Sequence, residues 1–352
     1  MRSTRPKPLH MICGRGMVMH VIYALESLDV ERTVVVVGHG AEQVTKKVQE
    51  QAPDWANVTF VEQHVQRGTG DAAMVGLGAF PFPGDDLDDE STVLILPGDT
   101  PLLRADTIDE LVATHVAHGS AATVLTSVMD DPTGYGRVIR AIGKGGPDRV
   151  LRIVEQRDAK PDELAVCEVN SSIYAFRRDL LGPALRHLSP DNSQGEYYLT
   201  DVISVLSSMG HRIGAMEASP AETAGINDRW QLALAERELR ARTNRHWLIN
   251  GVTMLDPRQT FIDVTVQLGR DVTLFPGTIL QGRTVIGNGC EIGPDTRLVD
   301  CVVAPDSVIE NSVGRDAEIG AGAHIGPYAY LPAGSSVIAG QVTGAFYTAV
   351  VD

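Results

Sequence analysis

Over the first two-thirds of the chain, apolar positions alternate between short continuous runs and helical stripes. Met17, Val21, Leu25 and Leu28 recur at helical spacing within residues 16–30 and predict one buried helix face. Thr33–Val37 is a β-branched run closed by Gly38-His39-Gly40, which predicts a strand, and the polar stretch that follows to Gln51 predicts a helix. Residues 58–61 form another short apolar run. The V-L-I-L run at 93–96, closed by Pro97-Gly98-Asp99, reads as a buried parallel strand. Residues 107–118 suit a helix and 121–128 a further strand. Alternation of this kind predicts an α/β, Rossmann-like doubly wound domain.

Two changes of pattern follow. Residues 227–247 are charged, rich in Leu, Ala and Arg, and free of Gly and Pro, so they predict one long helix. Beyond Asn250 the period becomes six: Ile262, Leu268, Leu274, Leu280, Ile286, Ile292 and Leu298, then Val313, Ile319, Ile325, Leu331 and Val337. A helix cannot keep one face apolar at that period. A hexapeptide β-helix can, because each short flat face turns one side chain inward. About three hexads per turn predict a short left-handed β-helix of roughly four to five coils.

Composition narrows the function. Of 352 residues, 43 % are hydrophobic and 21 % charged, an ordinary globular balance. Lys and Arg total 30 against 45 Asp and Glu, a formal net charge of −15, which argues against general nucleic-acid binding. Cys13, Cys167, Cys290 and Cys301 show no C-x-x-C spacing and read as reduced, mostly buried thiols. No apolar run approaches the ~18 residues of a membrane span, and the basic start has no secretory apolar core, so no membrane association and a cytoplasmic location are expected.

Candidate chemistry is sparse. Asp99 follows the carboxyl end of the clearest strand, where open α/β sheets bind ligands, and a carboxylate there can hold Mg²⁺ against phosphate oxygens. The same Gly98-Asp99-Thr100-Pro101 string also suits a plain turn and helix cap. Gln63, Gln66 and Arg67-Gly68-Thr69-Gly70-Asp71-Ala72 form a glycine-containing loop that lets backbone N–H groups approach a base or a phosphate, or simply begins a helix. Lys7, stiffened between Pro6 and Pro8, is a candidate phosphate contact or a solvated basic terminus. His39, His64 and Cys13 lack metal-ligand spacing.

In order along the chain, Pro6-Lys7-Pro8-Leu9-His10, Gly38-His39-Gly40, Gln66-Arg67-Gly68-Thr69-Gly70-Asp71-Ala72 and Pro97-Gly98-Asp99-Thr100-Pro101-Leu102-Leu103 carry a family likeness. So do Asp131-Pro132-Thr133-Gly134-Tyr135-Gly136-Arg137, Ile153-Val154-Glu155-Gln156-Arg157-Asp158-Ala159 and Glu168-Val169-Asn170-Ser171-Ser172-Ile173. Asn192-Ser193-Gln194-Gly195-Glu196-Tyr197-Tyr198-Leu199-Thr200-Asp201 and Gly225-Ile226-Asn227-Asp228-Arg229 complete the set. Together they resemble the bacterial N-acetylglucosamine-1-phosphate uridylyltransferase/glucosamine-1-phosphate acetyltransferase family, over essentially the whole chain. The resemblance implies a nucleotidyltransferase domain over 1–226, a linker helix over 227–249 and a β-helix with its tail over 250–352. It implies that Asp99 and Asn227 hold Mg²⁺, that Lys7 contacts phosphate, that Gln63, Gly68 and Thr69 read uracil, and that Gly136, Glu155 and Asn170 contact N-acetylglucosamine. The substrates implied are UTP and N-acetylglucosamine 1-phosphate, and the assembly implied is a homotrimer through the β-helix.

Two departures from the family pattern shape the expectation. The family precedes its P-K-x-L-H segment with a strand and an L-A-A-G-x-G-T-R-M loop, whereas Met1 here aligns with the Met ending that loop, so a natural start upstream is expected. Loss of that strand would leave its neighbours with unpaired edges. The family's L-R-P-G is here Leu331-Pro332-Ala333-Gly334 and the later acetyltransferase segments are not in the sequence, so acetyltransferase activity is expected to be lost. The rivals are another sugar-1-phosphate nucleotidyltransferase, of thymidylyl or glucose type, and a noncatalytic oligomerising protein.

Overall fold

A computed structural model describes residues 1–80, 91–141 and 149–350. The chain forms two compact units. One comprises Met1–His10 with Met17–Asn227, the other Met11–Gly16 with Asp228–Asp352. The second unit therefore takes a short antiparallel ribbon, Met11–Ile12 with Arg15–Gly16, from near the chain's start, an exchange that no periodicity announces.

The first unit is built on a mixed sheet around the ten-residue strand Glu168–Arg177. Ala122–Val128 pairs antiparallel along one edge of it and itself pairs parallel with Ile213–Glu217. On the other edge lie Thr92–Ile95 and, near the strand's start, Arg137–Arg140, which continues to Val150–Val154. Thr33–Val37 pairs parallel with Val58–Glu62 in a separate two-stranded sheet.

The V-L-I-L run differs from expectation. Thr92–Ile95 is half-buried and antiparallel to its sheet partner, because that partner is the strand Glu168–Arg177, which runs against it. Among the described residues, Thr33–Val37 and Thr92–Ile95 each have one strand neighbour. Both strands are half-buried for most of their length, unlike Ala122–Val128, which is buried at every residue but the last.

In the second unit, the helix Arg229–Ile249 is capped by Asp228, whose side chain accepts from the Gln231 backbone N–H at 2.8 Å. The β-helix follows as three parallel five-stranded sheets. Buried hydroxyls stitch successive coils: Thr278 Oγ1 donates to the Ile292 carbonyl at 3.0 Å, and Ser307 Oγ to the Gly320 carbonyl at 3.0 Å. The terminal segment adds to the ladder, with the Tyr330 N–H donating to the Tyr347 carbonyl at 2.8 Å and Phe346 stacked on Tyr328 at 5.3 Å. Val351 lies outside the described residues.

The hexad register needs one correction. Val313 points outward at 38 % exposure, and Gly314 takes the inward place between Leu298 and Leu331. Rungs of five residues between Leu298 and Ile319 shift the register, and the absent side chain is compensated by its neighbours. A Cβ at Gly314 would lie 3.0 Å from Leu298 Cδ2 and 3.2 Å from Cys301 Sγ. Leu298→Ala should therefore cost about 2–5 kcal/mol in urea unfolding of this unit, whereas Val313→Ala should change it by only about 0.5 kcal/mol. Equal costs would restore the unbroken hexad.

Candidate active site

Lys7 enters the site from the short turn Lys7–Leu9, which Pro6 initiates. Pro6 packs against the loop at Gly40, where a Cβ would fall 2.8 Å from the proline ring. Lys7 Nζ donates to Asp99 Oδ2 and, at 2.7 Å, to Asn227 Oδ1. Asp99 sits in the turn after Thr92–Ile95, closed by a bond from Thr100 Oγ1 to the Pro97 carbonyl at 3.0 Å. Asn227 reaches it because the Ile226 N–H donates to the Asp99 carbonyl at 3.0 Å. A Cβ at Gly225 would lie 3.7 Å from the Asp99 carboxylate.

Gln63, Gly68 and Thr69 form a second group. Gln63 Nε2 donates to the Gly68 carbonyl at 3.2 Å and to Asp71 Oδ2 at 2.7 Å, folding the loop over the start of helix Thr69–Leu77. Gly68 has φ +109°, and a Cβ there would meet the Tyr197 carbonyl at 2.6 Å, so only glycine fits. Thr69 Oγ1 accepts from the Leu199 N–H at 3.1 Å.

The third group is Gly136, Glu155 and Asn170. The Asn170 N–H donates to the Gly136 carbonyl at 2.9 Å, and a Cβ at Gly136 would lie 3.5 Å from Glu155 Oε2. Glu155 Oε1 accepts from Thr200 Oγ1 at 3.1 Å. Asn170 Nδ2 donates to the Tyr174 hydroxyl at 2.7 Å.

The second and third groups adjoin one another. Leu199 and Thr200, consecutive residues, bond to Thr69 and Glu155 respectively, which ties the second group to the third. Tyr135, next to Gly136, is held above the ordinary phenol range by burial and by the charge of Asp99. Burial raises Glu155, with the Asp201 and Asp158 carboxylates adding to the effect and the Thr200 hydrogen bond opposing it. Burial and Asp158 raise Asp201 as well.

A family model described as a MobA-like NTP transferase domain matches residues 1–198. The bifunctional protein GlmU of Streptomyces avermitilis is 46 % identical over 347 residues, which cover 98 % of this chain and 70 % of the relative. GlmU of Mycobacterium bovis is 43 % identical over 348 residues, covering 98 % and 68 %. The chain belongs to the GlmU family.

A solved nucleoside-diphosphate-sugar pyrophosphorylase from Vibrio cholerae superposes with a TM-score of 0.52 over 67 % of this chain and 93 % of its own, at 16 % identity, a likeness of fold alone. As a GlmU relative the chain is an enzyme, a nucleotidyltransferase. The nine residues given roles by the resemblance are the ones grouped above; Gln66, also named from the sequence, lies instead with its amide against Gly38. Tyr135, Thr200 and Asp201 stand inside motifs quoted for the GlmU likeness but were not singled out, since their roles arise from folding. Tyr174, just beyond its motif, gave no signal at all. Among the described residues, no helix is long and apolar enough to cross a membrane.

Because the folded carboxyl of Glu155 titrates above its unfolded range, the folded state holds the proton longer. Its effect on stability is therefore a loss that sets in as pH rises through the unfolded value of about 4.3. Glu155→Gln should melt higher than wild type at pH 7.5 and converge with it near pH 4, read by thermal unfolding. A lower melting temperature at pH 7.5 would contradict this assignment.

Proposed function

We propose that this site joins UTP and N-acetylglucosamine 1-phosphate to give UDP-N-acetylglucosamine and pyrophosphate. The observation that carries the reading is the convergence of the Asp99 carboxylate and the Asn227 amide oxygen on one cationic nitrogen. Two hard oxygens aimed at a single cation form a donor set that fits Mg²⁺, whose other positions go to waters and phosphate oxygens. Among the described residues no cluster of three or more acidic, His or Cys side chains is arranged for a metal, consistent with a cation shared between protein and nucleotide. Bound there, Mg²⁺ supplies charge neutralisation at the nucleotide phosphates.

The remaining roles belong to the chain. Gln63, Gly68 and Thr69 hold the uracil, while Gly136, Glu155 and Asn170 hold the N-acetylated sugar. A phosphate oxygen of the sugar phosphate forms a bond to the α-phosphorus of UTP as the bond to the β-phosphate oxygen breaks. The attacking oxygen is already anionic, so no proton need be removed, and alignment with charge stabilisation carries the rate. Lys7, a flexible cation paired with Asp99, takes the role of the cation that meets the phosphates. We also propose a homotrimer through the β-helix, whose outward rungs carry Phe261, Ile279, Val313 and Tyr330 on one face and Val285 and Val302 on another.

Pyrophosphate release from UTP and N-acetylglucosamine 1-phosphate with Mg²⁺ tests the reading. Wild type should turn over, and Asp99→Ala and Lys7→Met should each lower kcat by at least about 10²-fold. Faster turnover with thymidine triphosphate or glucose 1-phosphate would reassign the substrate, and undiminished turnover in Asp99→Ala would remove this site from catalysis. Light scattering should give three times the chain mass. A monomer would refute the trimer.

A further inference from the structure

The strand Glu168–Arg177 is interrupted where it passes the sugar-side group. Its pairing with Ala122–Val128 shifts register between Leu125 and Thr126, so that Asn170 faces Thr126 while Ile173 faces Leu125. Ser171 and Ser172 are the inserted residues, and Ser172 has φ +63°. The bulge is satisfied internally: Ser171 Oγ donates to the Leu125 carbonyl at 2.6 Å and accepts from the Ile173 N–H at 3.3 Å. In a regular strand, residues four apart are about 13 Å from one another along the chain. Here the bulge lets the Tyr174 hydroxyl reach back to Asn170, at 2.7 Å from Nδ2.

That contact completes the constraint on the Asn170 amide. Its Oδ1 accepts from the Ser172 N–H at 3.1 Å, a donor that cannot reverse its role, so the nitrogen must face Tyr174. Tyr174 is 1 % exposed and packed against Phe176 with ring centroids 5.4 Å apart, so the phenol has a single available placement. Burial, together with the nearby Glu155 charge, keeps it neutral. One N–H and one lone pair of the amide are thereby fixed in direction.

We propose that Tyr174 is a positioning residue for sugar selection, acting through Asn170 to orient the amide toward the N-acetylated sugar phosphate. The inference rests on the uridylyltransferase reading above. Tyr174 itself touches no substrate. Its phenol converts a rotatable amide into a fixed donor, and a fixed donor discriminates between sugars better than one that can turn to suit either.

The test is steady-state kinetics on the full chain with Tyr174→Phe, which keeps the buried ring, alongside Asn170→Ala and the double variant. Tyr174→Phe should raise KM for N-acetylglucosamine 1-phosphate about tenfold, as expected for one lost orienting hydrogen bond, and leave KM for UTP unchanged. Its preference for N-acetylglucosamine 1-phosphate over glucose 1-phosphate should fall. In the Asn170→Ala background the same substitution should add less than about twofold, because the residue it acts through is gone. An unchanged KM for the sugar phosphate, equal changes for both substrates, or a full additional loss in the Asn170→Ala background would each overturn the proposal. Wild-type turnover reports on the function separately: if wild type prefers another sugar phosphate, the comparison of wild type with Tyr174→Phe is made with that substrate.

Discussion

A carboxylate and an amide oxygen turned toward the same point call for a hydrogen-bond donor or a cation between them, and in this structure the Lys7 ammonium is both. The first unit is arranged around this requirement. The turn after Thr92–Ile95 presents Asp99, the backbone bond from Ile226 to Asp99 brings Asn227 alongside, and the Pro6-initiated turn delivers Lys7 from the start of the chain. With neither the lysine nor a metal in place, the part-buried Asp99 carboxylate would have no cation beside it. In the proposed reaction a divalent cation takes the place of the lysine between these oxygens and the lysine turns to phosphate.

The other two groups are arranged by backbone devices rather than charge. Gly68 lets the loop run against Tyr197 where any side chain would collide, and Leu199 and Thr200 then bond to Thr69 and Glu155 from consecutive positions. The bulge at Ser171 and Ser172 bends the central strand so that a buried tyrosine and an asparagine meet. These devices suit the reaction assigned to the site. Attack by an anionic oxygen asks for placement and neutralisation, not for a strong base, and the described site holds no histidine or cysteine in a catalytic arrangement.

Much of this was legible in the residues, and the failures are informative. Continuous β-branched runs located strands such as Thr33–Val37 and Val58–Glu62, and the absence of Gly and Pro located the helix Arg229–Ile249. The direction of Thr92–Ile95 was misread because apolarity reports burial and not which neighbour pairs. Val313 was misread because the rung from Gly314 to Ile319 is five residues long, so that counting six back from Ile319 lands on the β-branched residue one step before the inward glycine. Motif likeness pointed to the nine candidate residues. It could not reach Tyr174, whose contact with Asn170 exists only through a bulge that leaves no periodic trace.

The central claim is that Asp99 and Asn227 together hold the divalent cation at the nucleotide. Electron paramagnetic resonance titration with Mn²⁺, in place of Mg²⁺, measures this directly in the presence of UTP. Wild type should bind one Mn²⁺ tightly, and Asp99→Asn and Asn227→Ala should each weaken it by at least about tenfold. Equal affinity in wild type and both variants would contradict the account.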